Sequence, residues 1–301
     1  MSFNDGAKLD TSQVTGGGSR GGLAIGGGIG GLVITLVAVF LGVDPSILNG
    51  GGSSAFNTDQ VQTAGDESTT TFDQCKTGAD ANRDQTCRII GTVNSVQDYW
   101  TDALPADVSR QYREAKTVIY QGQTQSPCGT ASNQTGPFYC PSDERVYIDA
   151  SFFDELESTY GADGGALAQE YVVAHEYGHH VENILGLLEQ GQDGKTGPKS
   201  GGVRIELMAD CMAGVWANHA STTEDADGNT LLEPLTQADI DSALSAAAAV
   251  GDDHIQEELG GGSVNQDTWT HGSSESRQKW FMAGYDSGTV NSCDTFATDD
   301  L

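Results

Sequence analysis

The sequence predicts an α+β domain, mostly helical, with a small sheet beside its central helix and one transmembrane helix before it. Three observations predict this. Only two stretches after residue 85 have the β-branched and aromatic content of strands, "TVIYQG" at 117–122 and "RVYIDA" at 145–150. Four or more segments repeat apolar residues at helical spacing, and most lie after the strands, the pattern of segregated α+β folds. Residues 21–43, "GGLAIGGGIGGLVITLVAVFLGV", carry no charge over a length that crosses a bilayer as a helix.

Taken in order, residues 1–20 read as a short Gly-rich cytoplasmic tail and 21–43 as an uncleaved anchor. Lys8 and Arg20 precede the apolar run and Asp44 comes just after it, which puts the N-terminus inside. Residues 44–85 are rich in Gly, Ser, Thr, Asp and Gln, the composition of a flexible linker, with order expected from near Cys75. Residues 86–301 form the folded domain, on the outer side of the membrane. All six cysteines lie beyond the anchor, and an even count in an oxidising compartment points to disulfides. Proximity pairs Cys75–Cys87 and Cys128–Cys140 and leaves Cys211–Cys293.

Within the domain, Val93, Val96, Tyr99, Trp100 and Leu104 give 87–104 a helical period. The two strands come next, separated by the turn-rich "SPCGTASNQTGPFYCPSD". Helical patterns then occupy 165–189 and 204–220. Another at 236–250 opens on a Thr-x-x-Asp cap, and "SESRQKWFMAGYDSG" stops at Gly288. "DADGN" at 225–229 lacks the glycine and glutamate of a calcium loop and reads as a solvated turn.

The chemistry concentrates in "YVVAHEYGHHVENILG", residues 171–186. His175 and His179 stand one helical turn apart on one face, the spacing of two zinc ligands. Glu176 points partly sideways, where it meets a metal-held water as general base, the HExxH arrangement. Glu182 lies about 10.5 Å along the axis from His175, too far to share one ion without a break, and reads as solvated or substrate-facing. His180 lies roughly 140° around the helix and reads as structural. Tyr177, His219 and His254 read as packing and helix-end residues without catalytic roles.

The third ligand comes from "ELMAD", residues 206–210. Glu206 has the reach to ligate, and Asp210 accepts the outer N–H of a ligand histidine. Exchange of those two roles stays open on sequence. The result is a His₂Glu site for one catalytic Zn²⁺ with a fourth position for water. His271, in "THGSSESRQKW", is the candidate donor to the oxyanion, weighed evenly against a capping or core role. The segment 137–150 offers a sheet edge to an extended substrate, with Tyr147 near the cleft.

The motifs "GPFYCPSDERVYIDASFF", "HEYGHHVENILG", "ELMADCMAGVWA", "ALSAAAAVGDDHIQ" and "THGSSESRQKWFMAGYDSG" resemble those of a bacterial family of neutral zinc metallopeptidases, over about residues 87–297. The resemblance implies a gluzincin-like, and so zincin-like, fold and zinc peptidase activity. The family usually has Gln where this chain has Glu182. With 43 acidic against 14 basic residues and a net charge of -29, the chain is a poor partner for nucleic acid. The expectation is a single-pass membrane peptidase with an extracytoplasmic catalytic domain and a peptide or protein substrate. The alternatives are a non-catalytic zinc-stabilised binding module and a zinc amidase acting on cell-wall peptides.

Overall fold

The structure is a computed structural model that describes residues 2–18, 67–68, 71–225 and 227–301. A five-stranded sheet runs in the order β2-β1-β3-β7-β6. Its strands are β1 (Val14–Gly17), β2 (Glu67–Ser68), β3 (Lys116–Tyr120), β6 (Phe138–Cys140) and β7 (Arg145–Asp149). β1, β3 and β7 are parallel, whereas β6 runs antiparallel to β7 and forms one edge. Between β3 and β6 a separate hairpin pairs β4 (Gln123–Ser126) with β5 (Gly129–Ser132). The Cys128–Cys140 disulfide staples that hairpin to the edge strand.

About half of the fold is helical. Besides two single-turn helices, the helices are α1 (Gly78–Ala81), α2 (Gln85–Val108), α3 (Phe152–Ser158), α4 (Ala166–Leu185), α5 (Gly201–His219), α6 (Gln237–Ala249) and α7 (Ser274–Ser287). Their ends obey local chemistry. The Thr236 side chain accepts from the Asp239 amide and the Asp239 carboxylate answers back, the reciprocal cap expected from the sequence. Gly288 ends α7 in the left-handed conformation at φ 65°. In the core, Trp100 and Trp216 are fully buried, and the Trp216 indole donates to Ser95 Oγ at 3.1 Å. Burying each such side chain contributes about 1.5–3 kcal/mol.

Three expectations need correction. Residues 2–17 are not a tail apart from the domain: Phe3 and Val14 lie in its core, and β1 sits inside the sheet. The domain also begins before residue 86, because Phe72 and Cys75 are buried and α1 precedes α2. The turn-rich region between the two predicted strands contains three further strands, held by short-range pairing that composition does not mark. The expected anchor at 21–43 lies outside the described residues, and among those described no helix is long and apolar enough to cross a membrane. All three disulfides pair as proximity suggests: Cys75–Cys87, Cys128–Cys140 and Cys211–Cys293.

Candidate metal centre

α4 carries both histidines, and its register against α5 is set by a glycine. A Cβ on Gly178 would lie 2.9 Å from Ala209 Cα and 3.0 Å from its carbonyl oxygen. Without that Cβ the two backbones approach closely, and His175 and His179 come to face Glu206 and Asp210. The other face of α5 meets α7 in the same way, Gly214 lying against the Phe281 backbone and Gly284 against that of Cys211. The three stacked helices thus fix where every polar group of the centre can reach.

His175 Nε2 lies 3.3 Å from Glu206 Oε2, and His179 Nε2 lies 3.6 Å from Glu206 Oε1. The three donor groups fall within 4.8 Å of one another and are largely buried. Ligands at 2.0–2.1 Å in a tetrahedron sit about 3.4 Å apart, so the spacing fits one zinc ion. The tautomers support the same conclusion. His175 Nδ1 lies 2.8 Å from Asp210 Oδ1, and His179 Nδ1 lies 2.8 Å from Glu182 Oε2. Each Nδ1–H therefore donates outward to a carboxylate, which leaves the Nε2 lone pairs aimed at the Glu206 oxygens. Acceptors facing acceptors in a buried pocket call for positive charge between them, either a proton on the imidazole or a bound metal ion.

The electrostatics agree in sign. Burial opposes charge on His175, but Asp210 and Glu206 outweigh it and the imidazole pKa rises. Burial likewise opposes ionisation of Glu206, yet His179 and His175 hold its carboxyl well below the usual range. Asp210 is anchored further by a bidentate contact from Arg277, at 2.8 and 2.9 Å, and by the Tyr171 hydroxyl. Arg277 is buried, and its charge balances that of Asp210 in a site otherwise rich in acids.

Glu176 is buried beside the histidines. Burial pushes its pKa up, and the backbone amide of Tyr139, on edge strand β6, lies close enough to favour its ionised form. The Tyr139 hydroxyl in turn contacts His180 Nδ1 at 3.0 Å and accepts from Asn183 at 2.9 Å. His180 Nε2 lies 2.7 Å from the Arg113 carbonyl oxygen, so this histidine ties the sheet to α4. His271 lines the same cleft as His175, Glu176, His179 and Glu206. Its ring is held by Asp252, whose Oδ1 lies 3.3 Å from Nδ1 and whose Oδ2 accepts the amides of residues 270, 271 and 272.

Two expectations change here. Glu182 is neither solvated nor substrate-facing; it is fully buried and holds His179. At i+3 from His179 it reaches the outer ring nitrogen, whereas the axial distance that removes it from the ion is measured from His175. Tyr147 turns away from the cleft, stacking on Phe138 and donating to Asp143. Tyr177 packs in the core with its hydroxyl 2.9 Å from Thr117 Oγ1; His219 stacks on Tyr99, and His254 Nε2 lies 2.8 Å from the Tyr160 carbonyl oxygen. In "DADGN" the Asp225 carboxylate accepts the amides of Asp227 and Asn229. The second trio of close ligand types, Cys75, Asp84 and Cys87, has both sulfurs spent in a disulfide.

An HExxH helix crossing a helix that presents a carboxylate to both imidazoles is the framework of a one-metal hydrolytic centre. The chain belongs to the family described as "Putative neutral zinc metallopeptidase", whose model matches residues 3–296. It is 50% identical over 267 residues to an uncharacterized protein of Mycobacterium tuberculosis (strain ATCC 25618 / H37Rv), covering 88% of this chain and 86% of that one. It is 39% identical over 221 residues to the uncharacterized protein YpfJ of Escherichia coli (strain K12), covering 71% and 73%. No solved structure matches the chain.

Proposed function

We propose that the protein is an extracytoplasmic zinc metallopeptidase in which His175, His179 and Glu206 hold the ion and Glu176 is the general base. The observation that carries this reading is the convergence of two Nε2 lone pairs on one buried carboxylate, with a second carboxylate beside them. Zinc, when bound, polarises the scissile carbonyl and makes water nucleophilic near neutral pH. Glu176, buried beside the histidines, takes the proton of the attacking water and passes it to the leaving amine. His271, steadied by Asp252, donates to the oxygen that gains charge. The cleft walls carry Phe138, Phe152, Tyr160, Val172 and Ile255, which suit apolar side chains of an extended peptide.

Placement outside the cytoplasm rests on the three disulfides, which persist in oxidising compartments. Membrane attachment rests on the charge-free run 21–43. Glu176 argues against a non-catalytic zinc module, because a structural site has no use for a buried carboxylate beside the ligands.

The test pairs metal content with cleavage of a peptide library. The wild type is expected to hold about one zinc per chain and to cleave. Glu176→Gln should keep the metal and lose cleavage by on the order of 10²-fold or more. His271→Ala should lower kcat about 10²–10³-fold with little change in KM. A wild type without near-stoichiometric zinc overturns the reading.

A further inference from the structure

Residues 2–17 are built into the domain, not laid on its surface. Phe3 is 2% exposed, Ala7 1% and Val14 5%. The Asn82 side chain brackets Phe3, accepting its amide and donating to its carbonyl, both at 2.8 Å. Asn4 bonds to the 230–232 segment, its amide donating to the Leu231 carbonyl at 3.0 Å. Asn94, from α2, bonds to both backbone groups of Asp10 and to the Gln13 side chain. β1 then enters the sheet parallel to β3.

The domain's own glycines record this docking independently. Gly91 lies mid-helix in α2, where alanine is the better residue for helix formation. A Cβ there would meet the Phe3 ring at 2.6 Å. At Gly78 a Cβ would lie 2.0 Å from the Asn4 carbonyl oxygen. Both glycines leave room for the N-terminal segment.

The pairing of β1 with β2 adds a distance constraint. Gly16 stands opposite Ser68 and Gly17 opposite Glu67 in an antiparallel pair. Opposed residues in such a pair have Cα atoms about 4.5–5.5 Å apart. A helix that crosses a bilayer once leaves its ends about 30 Å apart, on opposite faces. The sequence between residues 18 and 67 holds one long charge-free run, at 21–43; Asp44, Asp59 and Asp66 interrupt the remainder. A return crossing therefore has no second apolar segment to use.

We infer that residues 2–17 and the catalytic domain occupy the same side of the membrane, so the chain is not a single-pass protein with its N-terminus across the bilayer. This inference does not depend on catalysis or on zinc.

Two experiments on the full-length chain test it. In the first, Ser12→Cys and Ser287→Cys are each probed in spheroplasts with a membrane-impermeant maleimide, before and after lysis, with labelling in denaturant as the total. Both serines are exposed, and all six native cysteines are disulfide-bonded, so the new thiol is the reporter. Equal accessibility of the two sites, whether before or only after lysis, supports a shared side. Labelling of one before lysis and the other only after it overturns the inference.

The second experiment reads the docking itself. In the purified full chain, Gly91→Ala should lower Tm, because it displaces Phe3. In a Phe3→Ala background the same change should raise Tm by roughly 2–4 °C, the ordinary gain of alanine over glycine in a helix. A rise in both backgrounds, with Phe3→Ala itself silent, means that the segment is not docked.

Discussion

Oε2 of Glu182 accepts a hydrogen bond from His179 Nδ1 at 2.8 Å, one turn further along the same helix. His175 is held in the same sense by Asp210, but from the neighbouring helix. Each of the two histidines thus has its own carboxylate, one local in sequence and one distant.

The carboxylate behind His179 fixes the tautomer that leaves Nε2 free for the metal. Glu182→Ala should therefore weaken zinc binding by about 10–100-fold. Glu182→Gln keeps an acceptor in place and should lose less than tenfold. Competition against a chelator of known affinity measures both. Equal losses for the two variants would show that charge at this position matters and not the hydrogen bond.

The close approach at Gly178 predicts a different kind of loss. Gly178→Ala adds a methyl that meets backbone atoms of Ala209, which cannot rotate away. Overpacking of this kind costs about 1–3 kcal/mol and exceeds the gain in helix propensity of about 1 kcal/mol. The variant should melt a few degrees lower and bind zinc more weakly, because α4 must move away from Glu206. Unchanged metal affinity in a folded variant would mean that the helix spacing is slack.

Glu170, on α4 five residues before His175, predicts a pH dependence of stability. It is fully buried, and among the described residues neither carboxylate oxygen has a hydrogen-bond partner. Burial raises its pKa to about 7, against the opposing attraction of Arg88. The folded state therefore binds this proton more tightly than the unfolded chain does. Below the unfolded value of about 4.3 the group is protonated in both states and has no effect. Stability falls as pH rises from there to about 7 and then levels, with a total penalty of about 4 kcal/mol. Glu170→Gln should remove that slope and raise Tm at pH 8 with little change at pH 4. Urea melts at the two values read the difference; parallel curves for wild type and variant over this range would refute the assignment.

The part of the centre that is legible in the sequence is its local part. His175, Glu176 and His179 are legible because helix geometry alone puts them on adjoining faces, and "ELMAD" because its carboxylates repeat the same one-turn spacing. The main helices of the domain are also legible, since their caps and apolar periods are local signals. Glu182 has a local signal too, its i+3 relation to His179. Arg277 and Asp252 have none, for they reach the centre across 67 and 19 residues, to Asp210 and His271. The docking of residues 2–17 is hidden for a related reason. A short Gly-rich segment before a long apolar run has the composition of a tail, and its partners, Asn82, Asn94 and the 230–232 turn, are remote in sequence.

Strand β6 has a consequence for how molecules of this protein meet one another. Sheet edges with free amides recruit strands from other chains. On this edge Pro137, just before the strand, has no amide hydrogen, and the Tyr139 amide lies beside Glu176. The stretch beside the cleft is thus poor in the donors that edge-to-edge pairing needs. The amide that lies beside Glu176 is thus one fewer for another copy to pair with in sealing the cleft.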